Sequence, residues 1–230
     1  MLPDDFCTRW KIEEWTLQET FRSKKNDVRK IEIVTAQGKK SVVLKKFTSA
    51  DGFQKESQLY RQMLARNAPV PRVYFAGNQV IITEFIDGPV LVDCLYQNSE
   101  HLIRVLRHAL QRIYDALRNV QRDMILGDMN FRNFIWDQRT DMVFRLDFES
   151  VTDGLIAEDI GKLCAFCLTY DPPFTRSKMR ISRRLFYHLA DHLDLSCEHT
   201  SNSLLNELRE IEDRRQMPVP KQVRSSVRSW

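Results

Sequence analysis

Short runs of β-branched residues in the first third of the chain predict a β-hairpin. The two runs are 28–34 (VRKIEIV) and 41–47 (SVVLKKF). Side chains branched at Cβ suit the pleated surface of a strand. The segment between the runs, Ala36-Gln37-Gly38-Lys39, contains a glycine, which suits a tight reversal. We therefore expect two antiparallel strands joined by a short turn.

A helix and a second pair of strands are predicted directly after this hairpin. Apolar residues recur near helical spacing over 53–66, and Asp51 is a suitable N-cap for this helix. Two short strands are expected at 72–75 and 79–85, with Gly77-Asn78 as the turn between them. The first third of the chain thus predicts a small antiparallel sheet with one helix.

Helical periodicity governs most of the chain after Leu91. Segment 99–122 carries a continuous amphipathic stripe, which predicts a long helix. Segment 124–149 alternates short apolar strands with polar loops. Three further helices are expected at 157–170, 177–193 and 203–215.

Together these elements predict an α+β fold with two lobes. The first lobe, residues 1–87, is a small antiparallel sheet with one helix, and the second, residues 88–213, is compact and mainly helical. The last segment, 214–230, contains basic residues and no acidic residue (Arg214, Arg215, Lys221, Arg224, Arg228). Because it also contains prolines and serines, we expect a flexible, solvated tail.

The composition is that of a folded protein with a core of its own. The chain has 230 residues and 43% hydrophobic content, which suffices for one domain or two small lobes. The formal net charge of +4 comes from the tail, whose basic residues leave about −1 for residues 1–213. A basic body is therefore not indicated, and we expect no specific nucleic acid as a partner. Peripheral membrane contact through the basic tail stays open.

Cysteine usage and hydropathy predict a cytoplasmic protein. The five cysteines are an odd set, and no signal peptide pattern opens the chain. No run of about 18 apolar residues is present, so we expect no transmembrane segment.

Two acidic loops carry the candidate chemistry. Segment 126–133 (LGDMNFRN) places Asp128 and Asn133 in a loop after the long helix, and segment 145–149 (RLDFE) places Asp147 at the end of a strand. Phosphoryl transfer needs cations on the phosphates and a carboxylate beside the attacking hydroxyl. Asn133 and Asp147 offer hard oxygen ligands of the kind that Mg²⁺ prefers.

The two loops carry a family pattern, a hydrophobic residue followed by G-D-x4-N and then a hydrophobic residue followed by D-[FW]-E. It resembles the catalytic and metal loops of the aminoglycoside phosphotransferase and choline kinase branch of the protein-kinase-like superfamily, over residues 28 to 170. The resemblance implies that Asp128 is the catalytic base and that Asn133 and Asp147 bind Mg²⁺. It also implies that Asp159 braces the catalytic loop.

The same resemblance assigns nucleotide-binding residues in the first lobe. Lys45 occupies the position of the strand lysine that contacts the α- and β-phosphates of ATP, and Glu56 that of its ion-pair partner. Segment 82–88 (ITEFIDG) resembles the hinge between the lobes, where backbone groups of Glu84 and Ile86 would bond adenine.

Three features depart from the family pattern. Leu126 stands where the family usually has histidine. Segment 21–27, which stands where the family has the loop between its first two strands, has no glycine, so a backbone phosphate cradle is not evident. Three polar or basic side chains in this segment are candidate substitutes (Ser23, Lys24, Lys25). The chain beyond the helix that begins near Asp159 is shorter than the part that aminoglycoside kinases use for an acceptor pocket.

The sequence thus predicts an ATP- and Mg²⁺-dependent kinase that acts on an unidentified hydroxyl-bearing acceptor. The candidates are a sugar, an aminoglycoside, an amino alcohol or a lipid-linked saccharide. Acidic residues in the last helices would favour a cationic acceptor if they lined its pocket (Asp191, Asp194, Glu207, Glu210, Glu212). Two alternatives stay open: a small atypical protein kinase or ATPase, similar to RIO-type kinases or to the kinase of the KEOPS complex, and a pseudokinase that serves as a binding module.

Overall fold

Five antiparallel strands form one sheet in the first part of the computed structural model, which describes residues 2–230. The strands are β1 (Glu14–Phe21), β2 (Asp27–Thr35), β3 (Gly38–Lys46), β4 (Val73–Gly77) and β5 (Val80–Glu84), in the order β1-β2-β3-β5-β4. β2 and β3 pair along their full lengths, so the predicted hairpin is confirmed. Gly38 follows the turn with a φ of 109°, a conformation that favours glycine.

Two helices accompany this sheet. The first, α1 (Asp4–Trp10), buries Phe6 against apolar side chains of the strands (Ile31, Ile33, Val42, Leu44, Val80, Ile82). The second, α2 (Ala50–Ala65), is the helix that the sequence predicts, but its N-cap is Ser49 and not Asp51. The Ser49 hydroxyl accepts a hydrogen bond from the Gly52 N–H at 3.3 Å, while Asp51 lies in the first turn. Strand β1 is exposed along most of its length and so lacks the alternation that marks a half-buried strand.

Helices make up most of the rest of the chain. They are α3 (Leu91–Cys94), α4 (Ser99–Arg118), α5 (Ile156–Thr169), α6 (Arg176–His192), α7 (Cys197–Arg215) and α8 (Lys221–Arg228). Short strands form two pairs, β6 (Met124–Ile125) with β9 (Thr152–Asp153) and β7 (Phe134–Asp137) with β8 (Met142–Arg145). Helix α5 packs against both α6 and α7. Gly161 permits the close approach of α7, since a Cβ there would lie 2.6 Å from the Leu204 nitrogen.

The described residues divide into two compact units. The first unit contains the residues up to Asp87 together with Asp147–Glu149, and the second contains Gly88–Leu146 and Ser150–Trp230. The segment Asp147–Glu149 therefore belongs to the same unit as the five-stranded sheet. Among residues 2–230, no helix combines the length and the hydropathy of a membrane span.

The C-terminal segment differs from the flexible tail that the sequence predicts. Helix α7 extends to Arg215, and 221–228 form α8. Val227 of α8 is fully buried, and the Trp230 ring packs on Phe186 of α6 with ring centroids 5.7 Å apart. Arg224 forms an ion pair with Glu212 of α7. The apolar residues of this short segment lie on one helical face, a pattern that its high charge conceals.

Candidate functional site

Lys45 and Glu56 form a hydrogen-bonded pair inside the first unit. Strand β3 carries Lys45 and helix α2 carries Glu56, and the Lys45 Nζ lies 2.8 Å from Oε2 and 3.0 Å from Oε1 of the carboxylate. The Glu56 side chain is 1% exposed and that of Lys45 14% exposed. Burying a carboxylate is costly unless it is paired, and the Lys45 ammonium offsets this cost for Glu56.

Two more carboxylates face the same ammonium group. Asp147 Oδ1 and Glu149 Oε1 each lie 3.4 Å from the Lys45 Nζ. The Glu149 N–H donates a hydrogen bond to Asp147 Oδ1 at 3.0 Å and so orients the aspartate. The Asp147 side chain is 39% exposed, against 17% for Glu149. Asp147 is therefore the acid of this cluster that a ligand reaches most easily.

Burial, together with the surrounding charges, shifts the pKa values of Lys45 and Glu56. Burial raises the pKa of Glu56 to about 8; Lys45 opposes this rise, while Asp147 and Glu149 add to it. Burial of Lys45 favours its neutral form, yet the three carboxylates outweigh that effect and raise its pKa. One ammonium group does not balance three acids, so the cluster suits the binding of a further cation.

Asn26 connects the glycine-free loop of the first unit to this cluster. Its side-chain amide donates a hydrogen bond to the Glu149 carboxylate, and its Oδ1 accepts one from the Thr48 N–H at 3.4 Å. The Ser23 hydroxyl accepts a hydrogen bond from the Asn26 N–H at 3.2 Å. Side-chain bonds thus hold this loop where glycines would otherwise shape the backbone. Sequence reasoning missed Asn26, because an asparagine in a polar loop carries no distinguishing pattern.

Asp128 and Asn133 lie together in a loop of the second unit. The Asn133 side-chain amide donates to Asp128 Oδ2 at 3.0 Å and to the Asp128 carbonyl at 3.1 Å. Asn130 donates to Asp128 Oδ1 at 2.7 Å, and its own Oδ1 caps the 3₁₀ turn Phe131–Asn133. The Asn133 nitrogen is thereby committed to Asp128, which leaves its amide oxygen as the atom suited to a cation.

A buried network holds the backbone of this loop. Asp159, at the start of α5, accepts hydrogen bonds from the N–H groups of Leu126 at 2.6 Å and Gly127 at 2.9 Å. The Tyr114 hydroxyl of α4 donates to the same carboxylate at 2.9 Å. Arg145 of β8, 1% exposed, donates to the Asp128 carbonyl at 3.0 Å. The bracing role predicted for Asp159 is confirmed. The contacts of Tyr114 and Arg145 were not predicted, because Tyr114 lies in an apolar helical stripe and Arg145 in a short strand.

This network also accounts for Leu126, where the family usually has histidine. The Leu126 side chain is fully buried and contributes packing, while its N–H is satisfied by Asp159. Gly127 is required at the next position, because its φ is 74° and a Cβ there would lie 2.2 Å from the Ser150 carbonyl oxygen. The loop is thus braced through backbone bonds that do not involve a histidine side chain.

The two predicted adenine-binding residues lie at and just beyond the end of β5. The Glu84 N–H donates to the Arg72 carbonyl at 2.8 Å, so this group is already used in the first unit. Adenine presents one amino donor and a ring-nitrogen acceptor on its hydrogen-bonding edge. The Glu84 carbonyl and the Ile86 N–H are therefore the groups that the adenine assignment requires.

Comparison with known proteins supports the fold. A scan against family models and a search of curated proteins found no match to the chain. Among solved structures it is similar to amicoumacin kinase hAmiN in complex with AMP-PNP, Ca²⁺ and Ami, with a TM-score of 0.65. The match covers 93% of this chain and 86% of that chain, at 11% sequence identity. The predicted α+β, two-lobed kinase-like fold is confirmed, and at this identity the likeness concerns the fold.

Proposed function

We propose that this chain is a phosphotransferase that moves the γ-phosphoryl group of ATP to a hydroxyl group of a small molecule. The observation that carries the proposal is the cluster of Lys45, Glu56, Asp147 and Glu149. A purely structural ion pair needs one acid for its base. Here three acids surround one lysine, and Asp147 is the most exposed of them, which suits a site that receives further cations.

Mg²⁺ fits this donor set. Among residues 2–230, no group of three or more His, Cys, Asp and Glu side chains is arranged to hold a metal ion. Mg²⁺ at nucleotide sites, however, usually takes one or two protein ligands and completes its shell with phosphate oxygens and water. We assign Asp147 and Asn133 as its ligands. Mg²⁺ would neutralise the charge that develops on the β- and γ-phosphate oxygens.

The remaining roles follow from what each side chain offers. Lys45, held by Glu56, contacts the α- and β-phosphates, and Asp128 faces the acceptor. Asp128 accepts the proton of the acceptor hydroxyl while the hydroxyl oxygen forms a bond to the γ-phosphorus. The bond from that phosphorus to the β–γ bridging oxygen breaks, ADP leaves with the electron pair, and the proton passes from Asp128 to solvent.

The similar solved structure supports the choice of substrates. Amicoumacin kinase hAmiN was solved in complex with AMP-PNP, Ca²⁺ and Ami, a nucleotide analogue, a divalent cation and a further compound. By analogy, we assign ATP and a small hydroxyl-bearing acceptor to this chain. A cytoplasmic location stays part of the proposal, because it rests on the cysteine pattern of the sequence.

A transfer assay tests the proposal. Radiolabelled γ-phosphate from ATP is followed onto sugars, amino alcohols and aminoglycosides in the presence of Mg²⁺. We expect transfer to at least one class, and Asp128→Asn should lower its rate by about 100-fold or more while nucleotide affinity is kept. Asp115→Asn, on the exposed face of α4, is the matched control and should transfer normally.

The alternative functions give different results in this assay. Transfer to protein substrates alone would favour a small protein kinase, and phosphate release without any acceptor would favour an ATPase. ATP binding without turnover would favour a binding module. An Asp128→Asn variant as active as the wild type would remove Asp128 from the role of base.

A further inference from the structure

Cations surround the loop that carries Asp128. The Lys162 ammonium donates to the Gly127 carbonyl at 3.2 Å, and the Arg145 guanidinium donates to the Asp128 carbonyl at 3.0 Å. Arg132 lies in the same loop and is exposed. The acid next to these groups, Asp159, is buried and bonded to the loop backbone. Besides Asp128, the exposed charged side chain of residues 126–133 is Arg132.

Two exposed arginines, Arg132 and Arg215, lie against a pair of aromatic rings. The Arg132 guanidinium lies 5.8 Å from the centre of the Tyr170 ring, and that of Arg215 lies 5.7 Å from the centre of the Phe166 ring. The two rings stack on each other, with centroids 6.1 Å apart and an interplanar angle of 29°. We call these four residues the arginine–aromatic cluster. Cation–π contacts restrict the guanidinium groups before any ligand arrives.

A hydrogen bond fixes the cluster to the catalytic loop. The Phe131 N–H donates to the Tyr170 hydroxyl at 3.2 Å, and Phe131 is three residues from Asp128 in the chain. Arg132 follows directly. The cluster is therefore bonded to the loop that carries the proposed base, and both lie in one unit of the fold.

Two of the five acidic residues that would suit a cationic acceptor, Glu207 and Glu212, are paired with arginines, and Glu210 is exposed on α7. Glu207 is 4% exposed and pairs with Arg214 at 2.7 Å. Glu212 pairs with Arg224 and accepts a hydrogen bond from the Val219 N–H. Asp191 and Asp194 line a surface cavity at the end of α6 together with Leu195 and Cys197. The acid next to the cluster in the chain is Asp171, which is exposed.

We infer that the acceptor is a small hydroxyl compound that carries an acidic group, a carboxylate or a phosphate, and that Arg132 and Arg215 bind this group. The inference rests on the proposed function, because Asp128 must face the hydroxyl for the cluster to lie at the acceptor. Guanidinium groups suit both oxyanions, since their planar N–H groups match two oxygens at once. A polycationic aminoglycoside would meet like charges here.

Acceptors matched in skeleton and different in charge test the inference. Transfer from ATP with Mg²⁺ is measured with glucose, glucosamine, glucuronate and glucose 6-phosphate, and with glycerol, glycerate and glycerol 3-phosphate. We expect the anionic member of a series to have the highest kcat/KM and to lose affinity as ionic strength rises. The carboxylate and phosphate members distinguish the two kinds of acid.

Single substitutions separate binding from structure. Arg132→Gln and Arg215→Gln should each raise the KM for the anionic acceptor by about tenfold, the size of one charge-assisted hydrogen bond, with unchanged ATP affinity. Arg215 also donates to the Thr169 carbonyl at the end of α5, so its variant is checked for folding. Arg209→Gln is the control, because Arg209 is exposed on α7, the helix that carries Arg215, and it should leave the KM unchanged.

The outcomes separate this inference from the proposed function. Preferred transfer to the neutral or cationic members, or no transfer to any anionic member while ATP and Mg²⁺ still bind, would overturn the inference. An equal rise in KM for neutral and anionic acceptors in both arginine variants would also overturn it, since only a structural role predicts that result. Failure of ATP and Mg²⁺ to bind would instead contradict the proposed function.

Discussion

At the scale of single residues, three acids of unequal exposure surround Lys45 in the first unit. Glu56 is the most buried of its three acidic neighbours and Asp147 the most exposed. The Lys45–Glu56 ion pair could be predicted from the sequence, through the resemblance that the sequence analysis describes. The contribution of Glu149 and Asn26 could not, because it arises from contacts between residues far apart in the chain.

The raised pKa of Glu56 predicts a pH dependence of stability. Its pKa is about 8 in the folded protein, against an ordinary value of 4.5. The folded state therefore binds a proton that the unfolded state lacks, and this stabilisation is lost as the pH rises through about 8. We expect the free energy of unfolding of the wild type to fall between pH 5 and pH 8 relative to that of Glu56→Gln, measured by urea titration without nucleotide.

Glu32→Gln is the control for this measurement. Glu32 pairs with Lys39 on the sheet at 2.9 Å, and Lys39 is 69% exposed. Parallel pH profiles for the wild type and Glu56→Gln would mean that Glu56 is ionised across this range.

At the scale of elements, α4 and α5 hold the loop that carries Asp128 through one carboxylate, that of Asp159. Tyr114 and the N–H groups of Leu126 and Gly127 all donate to Asp159. The sequence predicts the loop, both helices and the role of Asp159. It does not predict the hydroxyl of Tyr114, because a tyrosine in an amphipathic stripe has the pattern of a core residue.

Removal of that hydroxyl should weaken the second unit. Tyr114→Phe leaves the buried Asp159 carboxylate with one donor fewer, and we expect a loss of about 1 to 3 kcal/mol in the free energy of unfolding. Tyr187→Phe is the control, because its hydroxyl bond to the Trp230 carbonyl is on an exposed side chain. Equal effects of the two variants would show that the Asp159 network does not hold the loop.

The remaining differences between prediction and structure also have local causes. The start of α7 was missed because its first turn, Cys197-Glu198-His199, is polar, although Ser196 caps it. Ser49 caps α2 in place of the nearby Asp51. The geometry of the first few N–H groups decides between neighbouring cap candidates, and residue type alone does not.

At the scale of the whole molecule, the chain has a kinase-like fold although no family model matches it. The fold was predictable from the order of the strands and helices and from the spacing of the candidate site residues, which together extend over most of the chain. The C-terminal helix α8 was not, because its buried positions, Val223 and Val227, are few among charged and polar neighbours.

A core substitution in α8 tests whether this segment is part of the fold. Val227 is fully buried, so Val227→Ala should lower the free energy of unfolding by on the order of 2 kcal/mol. Lys221→Ala, at an exposed position of the same helix, should have little effect. An unchanged melting temperature in both variants, measured by thermal unfolding, would contradict the packing of α8 and support the flexible tail that the sequence predicts.

Thermal unfolding with and without ATP and Mg²⁺ tests the central claim most directly. A ligand at about 100 times its Kd stabilises the native state by about 2.7 kcal/mol, so we expect a clear rise in the melting temperature that requires both ATP and Mg²⁺. The rise should disappear in Asp147→Ala and persist in Asp115→Ala. No rise at millimolar nucleotide, or an undiminished rise in Asp147→Ala, would contradict a magnesium–nucleotide site built on Asp147.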